Sequence, residues 1–263
     1  MRALLYHDVA PEAGWSETGF QGGDAAVYKF TPDAFDQHLD ALQACGPPSL
    51  VTSDASSWLL TFDDGGLSAL TTIAPALERR GWRGHFFMTT GRIDTSGFLD
   101  AEGLRDLVRR GHVIGSHSVT HPLAMASCSS NQLDREWRDS VAALADTLEI
   151  RPTVASIPGG AFGANVAESA GRAGIRVLFT SEPTARTWRV GDVLCIGRFT
   201  VWRGMPAAAA LAFASGRGLW PIRQRAAWEA KKLAKGLLGG RYLQLRKRLL
   251  DRERLAMRPR ADM

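Results

Sequence analysis

Two adjacent carboxylates, Asp63 and Asp64, stand at the end of an apolar run (Trp58-Leu59-Leu60-Thr61-Phe62) and just before Gly65-Gly66. A strand in the middle of a sheet is apolar throughout, and neighbouring side chains leave it on opposite sides. The glycines let the chain turn sharply away. The pair therefore falls where strand becomes loop, the place where α/β folds carry chemistry. A second short apolar run, Val113-Ile114-Gly115-Ser116, leads into His117-Ser118-Val119-Thr120-His121-Pro122. On an extended strand the two histidines would stand roughly 13 Å apart and could not share an ion. Wound into one helical turn, they come within roughly 6 Å on one face. Two imidazoles at that spacing and one carboxylate from another strand make a facial metal-ligand set with open positions. The two aspartates must then differ in role, and their spacing does not say which takes which.

The elements that must position these groups alternate. A first strand, Leu4-Leu5-Tyr6-His7-Asp8-Val9, presents His7 at its end, and a Gly-rich polar loop fills positions 10–30. Thr31 is a good N-cap, followed by Pro32 and by Phe35, Leu39 and Leu42 on one helical face. The pattern then predicts helices over 69–80, 100–110, 131–148 and 164–172. Strands are predicted over 58–62, 85–89, 113–116, 154–157, 177–180, 193–196 and 198–201. In the 131–148 helix, Leu133, Trp137, Val141, Leu144 and Leu148 read as core. His38 reads as a helix-surface residue, His85 as an ordinary strand residue, and His112 as packing at a strand start. Such alternation implies a parallel sheet, as a barrel or doubly wound.

The 263 residues are 45% apolar and 22% charged, the profile of an ordinary globular chain. No run of 18 apolar residues exists to span a bilayer. Three widely spaced cysteines argue against a disulfide framework or thiolate zinc site, and the first residues lack the apolar region of a signal peptide. The expectation is a cytoplasmic protein, peripheral at the inner membrane face if its tail binds lipid. From Arg217 onward the chain carries a net +10, leaving the first 216 residues at −5. Ala226, Ala227, Ala230, Leu233, Ala234, Leu237 and Leu238 share a helical face, and Tyr242, Leu245 and Leu249 form a second stripe after Gly239-Gly240. The division expected is 1–215 for the catalytic body and 216–263 for a basic amphipathic extension. That extension would pack on the body or dock through 217–254 on an anionic membrane. Nucleic acid is disfavoured, since no aromatic stacking platform accompanies the charge.

Thr61-Phe62-Asp63-Asp64-Gly65 and His117-Ser118-Val119-Thr120-His121 resemble the first two signature motifs of the NodB-type polysaccharide deacetylases, carbohydrate esterase family 4. Gly84–Arg92 fits as the intervening strand and loop, and the resemblance covers about residues 3–202. It implies a distorted (β/α) barrel of about seven parallel strands, with Asp64, His117 and His121 as metal ligands and Asp63 as general base. The third motif, Arg-x-Pro-x-Gly, is matched by Ser156-Ile157-Pro158-Gly159-Gly160, with a serine at the arginine position. Gly159 N–H is the candidate oxyanion donor, and Arg198 the candidate replacement for the arginine. The fourth motif finds no match near 181–188. The fifth, Leu-x-x-His, is absent, because no histidine follows His121. His7 becomes the candidate general acid, as in rearranged members carrying Tyr-His-x-Val near the start, with Asp8 beside it to orient it or to interact with the metal loop. The activity implied is metal-dependent removal of an acetyl group from an N-acetylated sugar, oligosaccharide or lipid-linked glycan. The expected cofactor is a divalent metal, zinc first, with Co2+, Ni2+ or Mn2+ as alternatives. Hydrolysis of another, even cyclic, amide and a non-catalytic binding barrel are the rival readings.

Overall fold

Short apolar runs become strands because each is covered on both faces. The computed structural model describes residues 1–51, 58–160 and 162–238. Its strands are β1 Arg2–Tyr6, β2 Trp58–Phe62, β3 His85–Met88, β4 Val113–Ser116, β5 Val154–Ser156, β6 Val177–Phe179, β7 Thr187–Val190, β8 Val193–Ile196 and β9 Arg198–Thr200. They form one sheet in the order β7-β8-β6-β5-β4-β3-β2-β1-β9. All neighbours are parallel except β7 with β8. Only Gly197 separates β8, paired with β6, from β9, paired with β1 at the far end of the order. One nearly continuous strand thus joins both ends of the parallel array, and the sheet must curl until they meet. With β8 and β9 taken together, this is the expected distorted barrel of about seven parallel strands. Gly197 is required at the crossing, since a Cβ there would lie 2.5 Å from the Glu182 carbonyl and 2.7 Å from that of Thr184.

Alternation along the strands builds two kinds of core. Ala3, Leu59, Phe87, Val154, Phe179 and Ile196 fill the barrel. Leu4, Tyr6, Leu60, Phe62 and Phe86 point outward beneath the helices. Those helices are α1 Gly23–Ala26, α2 Pro32–Leu42, α3 Ala74–Glu78, α4 Ala101–Arg109, α5 Ser130–Leu148, α6 Ala164–Arg172, α7 Ala207–Ser215 and α8 Trp220–Leu238. Thr31, Asp100 and Ser129 cap α2, α4 and α5, each side chain accepting from the backbone N–H three residues on.

Three expectations are corrected. The 69–80 helix begins as a π-helical turn, Ala69–Ile73, and becomes α-helical only in α3. Pro75 sits at the start of α3, where a residue without an N–H interrupts no ladder. The hairpin strand β7 and helix α7 were not expected. β7 is an edge strand with half-exposed alternation, and α7 is an alanine run with little amphipathic pattern. His38 does not lie on the surface: α7 packs beside α2 and leaves it 2% exposed. Its ring meets the Tyr6 hydroxyl at 3.0 Å and the Met205 carbonyl at 2.9 Å.

The chain divides into two compact units, Met1–Pro221 and Ile222 onward. In the second, Ala226, Ala227, Ala230 and Leu233 of the expected stripe are exposed. The stripe at 242–249 lies outside the described residues. Among the described residues no helix is long and apolar enough to cross a membrane.

Candidate active site

The mouth of the barrel collects side chains from the ends of β1, β2, β4, β5 and β9. Asp63 follows β2 in the inward register of Leu59 and Thr61. Asp64 would point outward on an extended strand, but its φ of 80° breaks the extension and brings its carboxylate to the same opening. Ser118 (φ 64°) and His121 (φ 61°) are left-handed as well. Three of the five non-glycine residues with positive φ among the described residues therefore lie in or between the expected ligands. Strain of this kind, of order 1–3 kcal/mol each, persists where surrounding contacts enforce it.

Those contacts are visible. The loop from 117 to 121 is held by Glu136 of α5, whose carboxylate accepts from the Val119 and Thr120 N–H groups at 2.9 Å and from the Thr120 hydroxyl at 2.5 Å. The Ser118 hydroxyl accepts from His121 N–H at 3.1 Å. From the other side, Thr90 and Gly91 donate to the Ser118 and Val119 carbonyls, both at 3.0 Å.

Asp64, His117 and His121 converge. Asp64 Oδ1 lies 3.5 Å from His117 Nε2 and 3.4 Å from His121 Nε2, and it has no hydrogen-bond partner although buried. These separations are too long for good N–H···O bonds. They match the roughly 3.3 Å between two atoms that each sit 2.0–2.1 Å from one tetrahedral ion. His117 Nδ1 lies 3.0 Å from the Ser156 carbonyl, an acceptor only, so this nitrogen carries the proton and Nε2 presents a lone pair. A buried carboxylate oxygen and an imidazole lone pair aimed at one point repel unless a cation lies between them. The donor set fits a divalent metal.

Asp63 is held apart from that set. Arg198, fully buried, forks its carboxylate, with Nη1 at 2.7 Å from Oδ1 and Nη2 at 2.8 Å from Oδ2. The guanidinium also donates to the Thr180 carbonyl at 3.0 Å and the Thr61 hydroxyl at 3.3 Å, and lies over Phe87 and Phe179 inside the barrel. Ser156 Oγ accepts from His117 Nδ1 at 2.6 Å and donates to Asp63 Oδ1 at 3.1 Å. Burial pushes the Asp63 carboxyl up, but Arg198 and His117 outweigh it and hold the acid below its ordinary range. Burial likewise opposes ionisation of Asp64, and with no cation between them the imidazoles of His117, His121 and His7, when protonated, hold its acid far below the ordinary range.

His7, just past β1, is close enough for its charge to act on both aspartates. Its ring lies against Tyr28, centroids 4.7 Å apart, and its buried Nδ1 has no partner. Asp8 points away into a buried network, accepting from Thr18 Oγ1 at 2.8 Å and Ser68 Oγ at 2.6 Å, with burial pushing its carboxyl up. It orders the 10–30 loop and does not orient His7. Gly159 lies in the turn Pro158–Gly160 with φ 63°, and the Leu123 carbonyl would come 2.3 Å from a Cβ there. A side chain would collide with the segment just beyond His121.

His85 and His112 behave as packing residues. His85 accepts from Val51 N–H and meets the Leu60 carbonyl, and His112 pairs with Glu78 at 2.9 Å. Sequence reasoning missed Ser156 as a link between His117 and Asp63, and Glu136 as the clamp on the loop. Glu136 carried a signal: it is an acid on the same face as Leu133, Trp137 and Ser140 of an amphipathic helix, where a lone carboxylate needs partners.

Residues 51–178 match the family model described as polysaccharide deacetylase. YxkH of Bacillus subtilis (strain 168), provisionally named a polysaccharide deacetylase, is 25% identical over 218 residues, 78% of this chain and 73% of that protein. Residues 51–178 thus carry the polysaccharide deacetylase domain of that model, and the chain is similar to YxkH over most of its length. The deacetylase fold is shared by the Streptococcus pyogenes deacetylase PplD, solved with acetate: TM-score 0.67, 18% identity, covering 81% of this chain and 97% of that one. IcaB from Ammonifex degensii gives 0.66 and 22%, covering 81% and 96%. A polysaccharide deacetylase from Bacillus cereus gives 0.67 and 15%, covering 80% and 68%. Deacetylases of this family remove acetyl groups from sugar polymers and in general depend on a divalent metal.

Proposed function

We propose that the chain is a metal-dependent hydrolase that removes the acetyl group from an N-acetylated sugar or glycan intermediate. The observation that carries the reading is the convergence of Asp64, His117 and His121 beside a second carboxylate held by the Arg198 fork. A divalent cation, zinc first among the candidates, would supply Lewis acidity, making water acidic near neutral pH and polarising a carbonyl oxygen. Asp63 takes a proton from the attacking water, and the Arg198 fork fixes the direction from which it does so. Gly159 N–H serves the developing oxyanion. His7 delivers a proton to the departing nitrogen, which as an amide anion could not leave. Its unpartnered Nδ1 supports that role.

Asp63→Asn should bind metal as the wild type does and release acetate at least 100-fold more slowly from an N-acetylated oligosaccharide, followed by an acetate assay and metal titration. Wild-type protein that binds metal yet frees no acetate from any glycan would point instead to a non-catalytic barrel.

The catalytic barrel is assigned to 1–215 and a basic extension to 216–263, and three free cysteines fit a reducing cytoplasm. The net +10 beyond residue 216 suits docking on an anionic membrane, near lipid-linked substrate. Reversing Lys232, Arg246, Lys247 and Arg248 should abolish sedimentation with phosphatidylserine vesicles and leave hydrolysis of a soluble sugar unchanged. Persisting sedimentation removes the membrane assignment.

A further inference from the structure

One cation at the barrel mouth has no counter-charge. Arg92 is exposed, and among the described residues its guanidinium makes no hydrogen bond or ion pair. It lies on two aromatic rings, 5.5 Å from the Phe20 centroid and 5.9 Å from that of Phe98. Phe20 in turn lies 4.7 Å from the ring of His121 and packs edge-on to Phe98 at 5.2 Å. A single aromatic ring therefore separates the guanidinium from a metal ligand.

Each piece is pinned. Gly19 donates to the Gly97 carbonyl at 2.8 Å, tying the Phe20 loop to the Phe98 loop. Buried Lys29 donates to the Trp15 and Thr18 carbonyls, and Thr18 is tied to Asp8. Arg92 itself ends the short turn Thr90–Arg92, whose first two N–H groups bind the loop between His117 and His121. A guanidinium resting beside aromatic rings gives up none of its N–H donors to them, and its planar fork suits a carboxylate or phosphate.

Resting on the deacetylase reading, we propose that Arg92 recognises an anionic group, phosphate or carboxylate, on the acetylated sugar or its immediate neighbour, and that the substrate is an acidic glycan. Phe20 and Phe98 give the sugar an apolar wall, and Arg92 sets the charge preference.

The test compares equilibrium binding of products, which cannot turn over. Glucosamine 1-phosphate, muramic acid and methyl glucosaminide are titrated by calorimetry into metal-loaded wild type, Arg92→Gln and Arg92→Lys. Wild type should bind at least one anionic sugar about 10- to 100-fold more tightly than the neutral glycoside, the usual worth of a charge-assisted hydrogen bond. Which of the two binds tightly identifies phosphate or carboxylate as the anion. Arg92→Gln should lose that preference while retaining neutral-sugar binding, and Arg92→Lys should fall between. Arg203, over the Trp15 ring at 4.9 Å, is the control. Arg203→Gln should leave the preference intact. Equal binding of charged and neutral sugars by wild type, or equal loss in both arginine variants, would overturn the proposal. Acetate release from N-acetylated forms of the same sugars is followed in parallel. Its total absence would count against the deacetylase reading, whereas turnover without charge preference would count against Arg92 alone.

Discussion

Arg198 meets Asp63 from the last barrel strand, and Ser156, at the position where the resemblance implies an arginine, meets the same carboxylate from β5. The contact forms because β9 is paired to β1 and β1 to β2, so residue 198 reaches the end of β2 through the barrel interior. A guanidinium that is fully buried has no solvent to fall back on, and Asp63 is its carboxylate partner. Arg198→Met should cost about 3–5 kcal/mol of folding stability, because it leaves a buried carboxylate unpaired. Arg198→Lys should cost less but still slow acetate release, since one ammonium cannot hold both carboxylate oxygens. Chemical denaturation and acetate release at saturating metal measure the two effects separately. Asp63, Asp64, His117 and His121 were legible in the sequence because their types are rare at strand ends and their spacing is restrictive. Arg198 was legible only as a charge on an otherwise apolar strand. Ser156 gave no signal, since a small hydroxyl at the end of a buried strand is compatible with almost any role.

At the scale of elements, α5 does more than cover the sheet. Its apolar stripe places Glu136 under the loop that carries His117 and His121, the two proposed metal ligands, and the three hydrogen bonds there offset the left-handed backbone at Ser118 and His121. Glu136→Ala removes both acceptor oxygens and leaves the Val119 and Thr120 N–H groups and the Thr120 hydroxyl without that partner. Metal affinity should fall by about 10- to 100-fold, as for other outer residues that hold ligands in place. Competition against a chelating dye measures this, and unchanged affinity would mean that the loop is rigid without the clamp. The strand–helix rhythm was readable through α6 because each segment has its own period. It failed at β7, where alternation is short and half exposed, and at α7, where an alanine run has propensity but no face. Missing α7 also misplaced His38, whose burial depends on a helix more than 160 residues away in sequence.

For the whole molecule, closing the barrel seals histidines that the open chain would leave in water. His85 is completely buried among Leu60, Val51 and Phe179, and desolvation lowers its pKa to about 4. His38 and His112 are lowered for the same reason, against partners that pull the other way. A histidine with a lowered folded pKa binds fewer protons in the folded than in the unfolded state. Stability is therefore complete above about pH 6.5 and drains away as pH falls toward 4. For His85 the loss over that window is about 3 kcal/mol. Asp63 and Asp64 do not contribute there, because stability from a lowered carboxylate is lost only below its ordinary value near 4. Asp8, raised by burial, acts in the opposite sense, so the comparison must be made between variants. His85→Gln retains a donor and an acceptor for Leu60 and Val51 but cannot charge. Thermal melts at pH 7.5 and pH 5 should show a smaller drop in Tm for this variant than for wild type. An equal drop in both would place the acid sensitivity of this barrel elsewhere than in its sealed interior.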